Sequence, residues 1–178
     1  MKTPTHVAIN YLISQKWPMK KALQRSFLLG GAAPDVPILL LFCTVGLLYP
    51  DGVVDQFSAL YDYNLWVVGI HNLLHSPVSL LLLWIINLFF LGNRNAFNFF
   101  LLGCLSHSVV DVYTHVNDGP LLLWLFHWQA TFVSPLSHWN PDYLASYVLI
   151  VEGGIILLAI VYWLAKRIVA GTGLGYLP

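Results

Sequence analysis

The sequence predicts an all-α fold, a polytopic membrane bundle of about four transmembrane helices. Hydrophobic residues make up 58% of the 178 positions and charged residues only 9%, against roughly 25% charged in an average soluble domain. The mean hydropathy is +0.71. There is too little charge here to cover a soluble globule. Apolar runs of about the 20 residues a bilayer crossing needs alternate with short polar stretches. Eight basic and eight acidic residues give no net charge, so there is no electrostatic footprint for nucleic acid as a partner. The expected partner is the lipid bilayer. The chain reads as a single membrane-embedded helical domain over 1–178, with 166–178 as a flexible C-terminal tail.

The elements follow in order. Thr3 and Pro4 suit a helix start, as N-cap and first helical residue. The helix over about 4–14 is too short to cross and is expected at an interface or against the bundle. A second short helix is expected over about 18–29. The basic cluster from Lys16 to Arg25, followed by an apolar stretch, mimics a signal peptide. That stretch is short and Pro34 follows the would-be cleavage point, so the N-terminus is expected to be retained. Pro34 and Pro37 flank Asp35 and predict a break in continuous helix over 30–37. Irregular backbone at that depth is tolerated where protein buries it or water reaches it. The first crossing joins this segment to an apolar helix over 38–49. Residues 65–91, 97–113 and 144–165 supply the other three.

Lys and Arg placement orients the bundle. Lys2, Lys16, Lys20, Lys21 and Arg25 precede the first long apolar run, Arg94 lies between the second and third, and Lys166 and Arg167 follow the last. With four crossings these all fall on one side, which predicts cytoplasmic termini. The loop over 51–62, with Asp51, Asp55 and Asp62, falls on the other. So does the loop over 116–143, whose Trp124, Trp128 and Trp139 suit an aromatic interfacial belt. Cys43 and Cys104 sit inside apolar runs and read as small packing residues, not a disulfide scaffold.

Ionisable groups inside a membrane bundle are costly and mark functional positions. Here they are Asp35, His71, His75, His107, Asp111 and Glu152, with no Lys or Arg among them. Residues four apart share a helix face. His107 and Asp111 therefore point one way, with His115 a turn further on, and His71 and His75 repeat the step. Two such helices facing each other, joined by Asp35, would converge imidazole nitrogens and carboxylate oxygens. Zinc, manganese or iron accepts that mixture. His127 and His138, among interfacial aromatics, and Glu152, beside two glycines, are weaker candidates.

The ordered motifs Thr5-His6, Gly31-Ala32-Ala33-Pro34-Asp35, His71-Asn72-Leu73-Leu74-His75-Ser76 and Gly103-Cys104-Leu105-Ser106-His107-Ser108-Val109-Val110-Asp111 resemble one family. It is that of the bacterial predicted membrane-bound metal-dependent hydrolases, which includes LexA-regulated inner-membrane proteins. The resemblance extends from His6 to about Pro141. It implies metal ligation by His6, Asp35, His75, His107 and Asp111, and a place in the bacterial inner membrane. Asn72 and Leu74 stand where that family carries a basic residue and a threonine. The order His, Asp, His, H-x-x-x-D is also remotely similar to zinc-dependent phospholipase C, whose later zinc-ligating run His127, His138 and Glu152 do not reproduce.

The expected function is a metal-dependent hydrolase. Metals, zinc first, are held by His6, Asp35, His71, His75, His107 and Asp111, and Asp35 or Asp111 is the proton acceptor. The substrate is an ester or phosphoester, of lipid-like character if the site opens into the bilayer. Two other expectations stand beside it. One is a haem or electron-transfer bundle with paired axial histidines, which leaves the carboxylates without a role. The other is a structural or assembly protein whose polar groups only pair with one another.

Overall fold

The computed structural model describes residues 1–171 apart from Asn93 and Asn117. The remainder of the tail predicted to be flexible, 172–178, lies outside the described residues. The elements are α1 (Thr3–Lys16), α2 (Lys21–Ala32), α3 (Val36–Leu48), α4 (Val53–Tyr63), α5 (Leu65–His75), α6 (Pro77–Phe89), α7 (Asn95–Val112) and α8 (Ala145–Gly171), with no β-strand among the described residues. Helix α8 runs on through Lys166 and Arg167, so that part of the expected tail is helical.

The expected break over 30–37 takes a milder form. Residues Ala33–Asp35 make a single 3-10 turn between α2 and α3, and the backbone keeps right-handed helical angles throughout. Pro34 and Pro37 each fall in the first turn of the element they open, where the missing N–H leaves no bond unmade. The result is one apolar helical stretch, Lys21–Leu48, of 28 residues. The sharper break lies elsewhere. Helices α5 and α6, expected as one crossing, are bent by 65° at Ser76, where Pro77 opens the second helix. The Ser79 hydroxyl reaches the Leu73 carbonyl at 2.7 Å, an acceptor that Pro77, having no N–H, leaves without its helical partner.

Two described helices, Lys21–Leu48 and Ala145–Ala170, are long and apolar enough to cross a membrane, and the bent α5–α6 pair would make a third. Helix α7, expected as a crossing, is not among them. Residues 53–63, expected as part of an acidic loop, form α4, and Asn64 caps α5 by accepting from the amides of Trp66 and Val67.

Burial is inverted relative to a soluble protein. Among the described residues the buried polar side chains outnumber the buried apolar ones. The apolar side chains of the two crossing helices face outward, as Leu47 at 85% exposure and Ile150 at 70% do. That pattern suits lipid as the surrounding solvent. A small apolar cluster of Leu80, Leu101 and Cys104 joins α6 to α7. Helices α2 and α7 cross at Gly30 and Gly103, whose Cα atoms approach so closely that a Cβ at Gly103 would lie 2.2 Å from the Phe27 carbonyl oxygen. This crossing sets the α2 backbone directly against His107.

Candidate metal centre

Four side chains from three parts of the chain converge. Asp35 comes from the 3-10 turn, His75 from the end of α5, and His107 and Asp111 from successive turns of α7. One ligand atom from each lies within 4.8 Å of all the others. His75 Nε2 and His107 Nε2 are 3.1 Å apart. Asp35 Oδ1 is 3.6 Å from His75 Nε2 and 3.4 Å from His107 Nε2. Asp111 Oδ2 is 3.7 Å and 3.0 Å from the same two atoms. A tetrahedral cation with ligands at about 2.0–2.1 Å needs ligand atoms about 3.3 Å apart. Five of the six pairs fall around that value.

The outer contacts fix what those atoms offer. His75 Nδ1 faces the His71 carbonyl at 3.0 Å, and His107 Nδ1 faces the Gly31 carbonyl at 2.9 Å. A carbonyl oxygen only accepts, so each Nδ1 carries the hydrogen. Both Nε2 atoms then present lone pairs to each other and to two carboxylates. Four acceptors with no donor between them repel unless a cation or a proton lies in their midst. Donation of the second ring N–H to a backbone carbonyl is also the usual outer arrangement of a metal-binding histidine. A buried His/Asp group that can hold a metal ion is therefore present.

The other predicted ligands lie at its edge. His6 stacks on His107 with ring centroids 3.6 Å apart. Its Nε2 meets the opposite oxygen of Asp111, Oδ1, at 3.0 Å. The Met1 amino group lies 2.5 Å from that same oxygen. His71 stays outside the four. It supplies its carbonyl to His75, and its ring lies 4.0 Å from the His75 ring. His115, just past the end of α7, brings Nε2 to 3.6 Å from Asp111 Oδ1.

Glu152 is buried on α8, away from the four, and its Oε1 accepts from the Lys2 amide at 3.0 Å. His127 lies apart, and its ring accepts from the Gln129 amide. His138 packs on His115 and Trp139. Of the expected aromatic belt, Trp128 and Trp139 are exposed, but Trp124 is buried and reaches Gly69.

Three contributors were not read as such from the sequence. Thr3 was expected to cap α1. Instead Lys2 takes that position, and the Thr3 hydroxyl donates to Asp35 Oδ2 at 2.5 Å. The Ser108 hydroxyl donates to the His75 carbonyl. Asp118 holds His115 Nδ1 at 2.6 Å. Burial disfavours the charged His115 ring, but its contacts with Asp111 and Asp118 outweigh that and raise its pKa. Burial likewise works against ionised Asp118, and the His115 contact reverses it and lowers the carboxyl pKa. The spacing His115-x-x-Asp118, three apart just past a helix end, was the available signal.

The geometry is not borrowed from a relative. Comparisons with protein-family models, curated proteins and solved structures find no match. The chemistry of the site therefore rests on its own donor set. Asp35 is the ligand most open to the outside, its side chain 19% exposed against 6% for Asp111 and 0% for His107. Its face opens on a cavity of about 820 Å³, which His75 and Asp111 also line.

Proposed function

We propose that this protein is a membrane-embedded metal-dependent hydrolase, acting on an ester or phosphoester of lipid-like character. The observation that carries the reading is the pair of inward-facing Nε2 lone pairs at 3.1 Å, closed by two carboxylates at near-tetrahedral spacing. Zinc suits that N2O2 set best, and manganese or iron would accept the same donors. The resemblance in motif order, and its implied place in the bacterial inner membrane, points the same way. With an even number of crossings, the positive-inside distribution favours cytoplasmic termini.

A divalent cation here would be held by His75, His107 and Asp111, with the Asp35 side, the one open to the cavity, left to a water that the cation would acidify while it polarises the substrate oxygen. The chain's own groups do the rest. The His71 and Gly31 carbonyls accept the Nδ1 hydrogens of His75 and His107, which leaves each Nε2 free for the metal. Asp35, steadied by Thr3 on Oδ2 and open to the cavity, takes the proton from the attacking water. The water oxygen bonds to the acyl carbon or phosphorus, the ester bond to the leaving oxygen breaks, and that oxygen recovers the proton from Asp35.

A haem bundle fits the geometry poorly. Two axial nitrogens on opposite sides of an iron, at about the 2.0–2.1 Å typical of metal–imidazole bonds, would stand about 4 Å apart, and the ring would have to displace both carboxylates.

The test is hydrolysis of bis(p-nitrophenyl) phosphate and p-nitrophenyl dodecanoate by the purified protein. Activity on at least one should vanish with chelator, return with zinc or manganese, and be lost in Asp35→Asn. Turnover of neither by metal-loaded protein, or turnover indifferent to chelator and to Asp35→Asn, would sink the reading.

A further inference from the structure

The 820 Å³ cavity has two unlike ends. At its floor lie Asp35, His75 and Asp111. Beyond them the walls are apolar and come from α3 and α4. Val54, Phe57, Ser58 and Tyr61 of α4 line it at steps of three and four, so one face of this short helix is turned to the cavity. Across from it stand Ile38, Leu39 and Phe42 of α3. Asp35 lies immediately before α3, so the apolar wall begins within one turn of a ligand.

The rings form a continuous path from that wall to the metal centre. Phe42 and Phe57 have centroids 5.4 Å apart, Phe57 and Tyr61 5.7 Å, Tyr61 and His71 5.4 Å, and His71 and His75 4.0 Å. The His71 Nδ1 is buried without a hydrogen-bond partner, beside the point where wall meets floor. Lys2 is the only Lys or Arg among the described residues lining the cavity. A divalent cation in this cluster would offset the charge of Asp35 and Asp111 and offer an anionic head a ligand position, and Lys2 adds a positive side chain beside it.

We infer that this cavity takes a single-chain amphiphile, with its anionic phosphoester head at the Asp35–His75–His107–Asp111 cluster and its one alkyl chain between α3 and α4. The inference rests on the hydrolase reading for the head and on the α3–α4 walls for the chain. The volume falls within the roughly 300–1,000 Å³ typical of sites that enclose one small ligand, which suits a head with one chain. The outer face of α3 carries exposed apolar residues such as Leu40, Leu47 and Leu48, so the chain has an apolar route to the cavity along α3.

The experiment uses the full chain, zinc-loaded, in phosphatidylcholine nanodiscs, with dodecyl phosphate carrying a diazirine at the chain end as photoprobe. Labelled peptides should map to Ile38, Leu39 and Phe42 and to the 54–61 face of α4. Excess dodecyl phosphate should displace the probe, and two-chain dioleoyl phosphatidic acid should not. Ser58→Trp, at an exposed position, and independently Leu39→Trp should each cut labelling about tenfold or more, because each puts an indole in the space the chain would occupy. Both variants are first checked for wild-type helix content by circular dichroism.

Label spread over outward residues such as Leu157, or untouched by both tryptophans, overturns the inference. Equal displacement by the two-chain lipid also overturns it. Metal content and phosphoester turnover are measured on the same samples. Cavity labelling in a protein that binds no metal would uphold the chain channel and sink the hydrolase reading.

Discussion

Gly103→Ala links packing to chemistry most sharply. The new Cβ would lie 2.2 Å from the Phe27 carbonyl oxygen, 3.0 Å from Gly30 Cα and 3.1 Å from the Phe27 carbonyl carbon. All three are backbone atoms, so no side chain can swing aside. Helices α2 and α7 must separate by about 1 Å to restore ordinary contact, and overpacking of this kind costs about 1–3 kcal/mol. The same separation acts on the site, because Gly31 on α2 accepts the His107 Nδ1 hydrogen at 2.9 Å. Stretched by about 1 Å, that bond is no longer one. His107 then loses the partner that fixes its tautomer, and loss of such an outer partner lowers metal affinity about 10–100-fold. The Asn10 amide, which bridges the Phe27 and Gly103 carbonyls at 2.9 and 3.3 Å, would be strained as well. Zinc affinity is read by competition with a chelating dye, and stability by thermal unfolding in detergent. Gly153→Ala is the control, since a Cβ there meets nothing within 4 Å. If Gly103→Ala matches the wild type in both affinity and melting temperature, the coupling of this crossing to His107 is wrong.

Other outcomes follow from the same geometry. His107→Ala and Asp111→Ala should each remove bound metal, whereas Val110→Ala, one position away, should retain it by elemental analysis. Glu152→Leu should weaken the placement of α1, because its Oε1 receives the Lys2 amide next to Thr3. Metal affinity should fall with it, and Glu152→Gln, which keeps an accepting oxygen, should restore it. Fully retained affinity in Glu152→Leu would contradict that role.

His138 is half-buried, and this desolvation, with the nearby cationic N-terminus and His115, lowers its pKa to about 4. The neutral ring therefore contributes stability that is fully present above the unfolded pKa of about 6.5 and is lost as pH falls from there toward 4. His138→Gln should flatten that acid limb in a stability–pH series. Reporter fusions at Pro178 and in 50–62 should report opposite sides of the membrane, with Pro178 inside. An outside signal at Pro178 would favour three crossings over four.

Legibility in the sequence followed the chemistry of each feature. The helical class, and helices long and apolar enough to cross a membrane, were legible because composition and apolar run length report them directly. The pairing of His107 with Asp111 was legible because a step of four fixes a shared face whatever the surroundings. His75 and Asp35 could be nominated, since ionisable groups in apolar runs need compensation. Their meeting with α7 depended on the turn at Ala33–Asp35 and the bend at Ser76. The prolines marked both places but not their geometry. Pro34 and Pro37 each found a first-turn position and bent little, whereas Pro77 followed an extended Ser76 and bent the chain sharply. The spacing of His71 and His75 suggested two ligands. On the helix His75 reached back to the His71 carbonyl, which made one residue the ligand and the other its support. Thr3 was ambiguous by nature, since the hydroxyl that suits a cap suits a carboxylate equally well. Residues 97–113 read as a marginal crossing, and α7, which carries His107 and Asp111 of the site, is not among the described helices long and apolar enough to cross.

X-ray absorption at the metal edge of zinc-loaded protein tests the central claim most directly. The account predicts a stoichiometric metal whose first shell is two nitrogens and two oxygens at about 2.0–2.2 Å. Multiple scattering should report two imidazoles, and one of them should disappear in His107→Ala. A wild-type protein that retains no metal after loading, or a first shell containing sulfur or no imidazole, would contradict it.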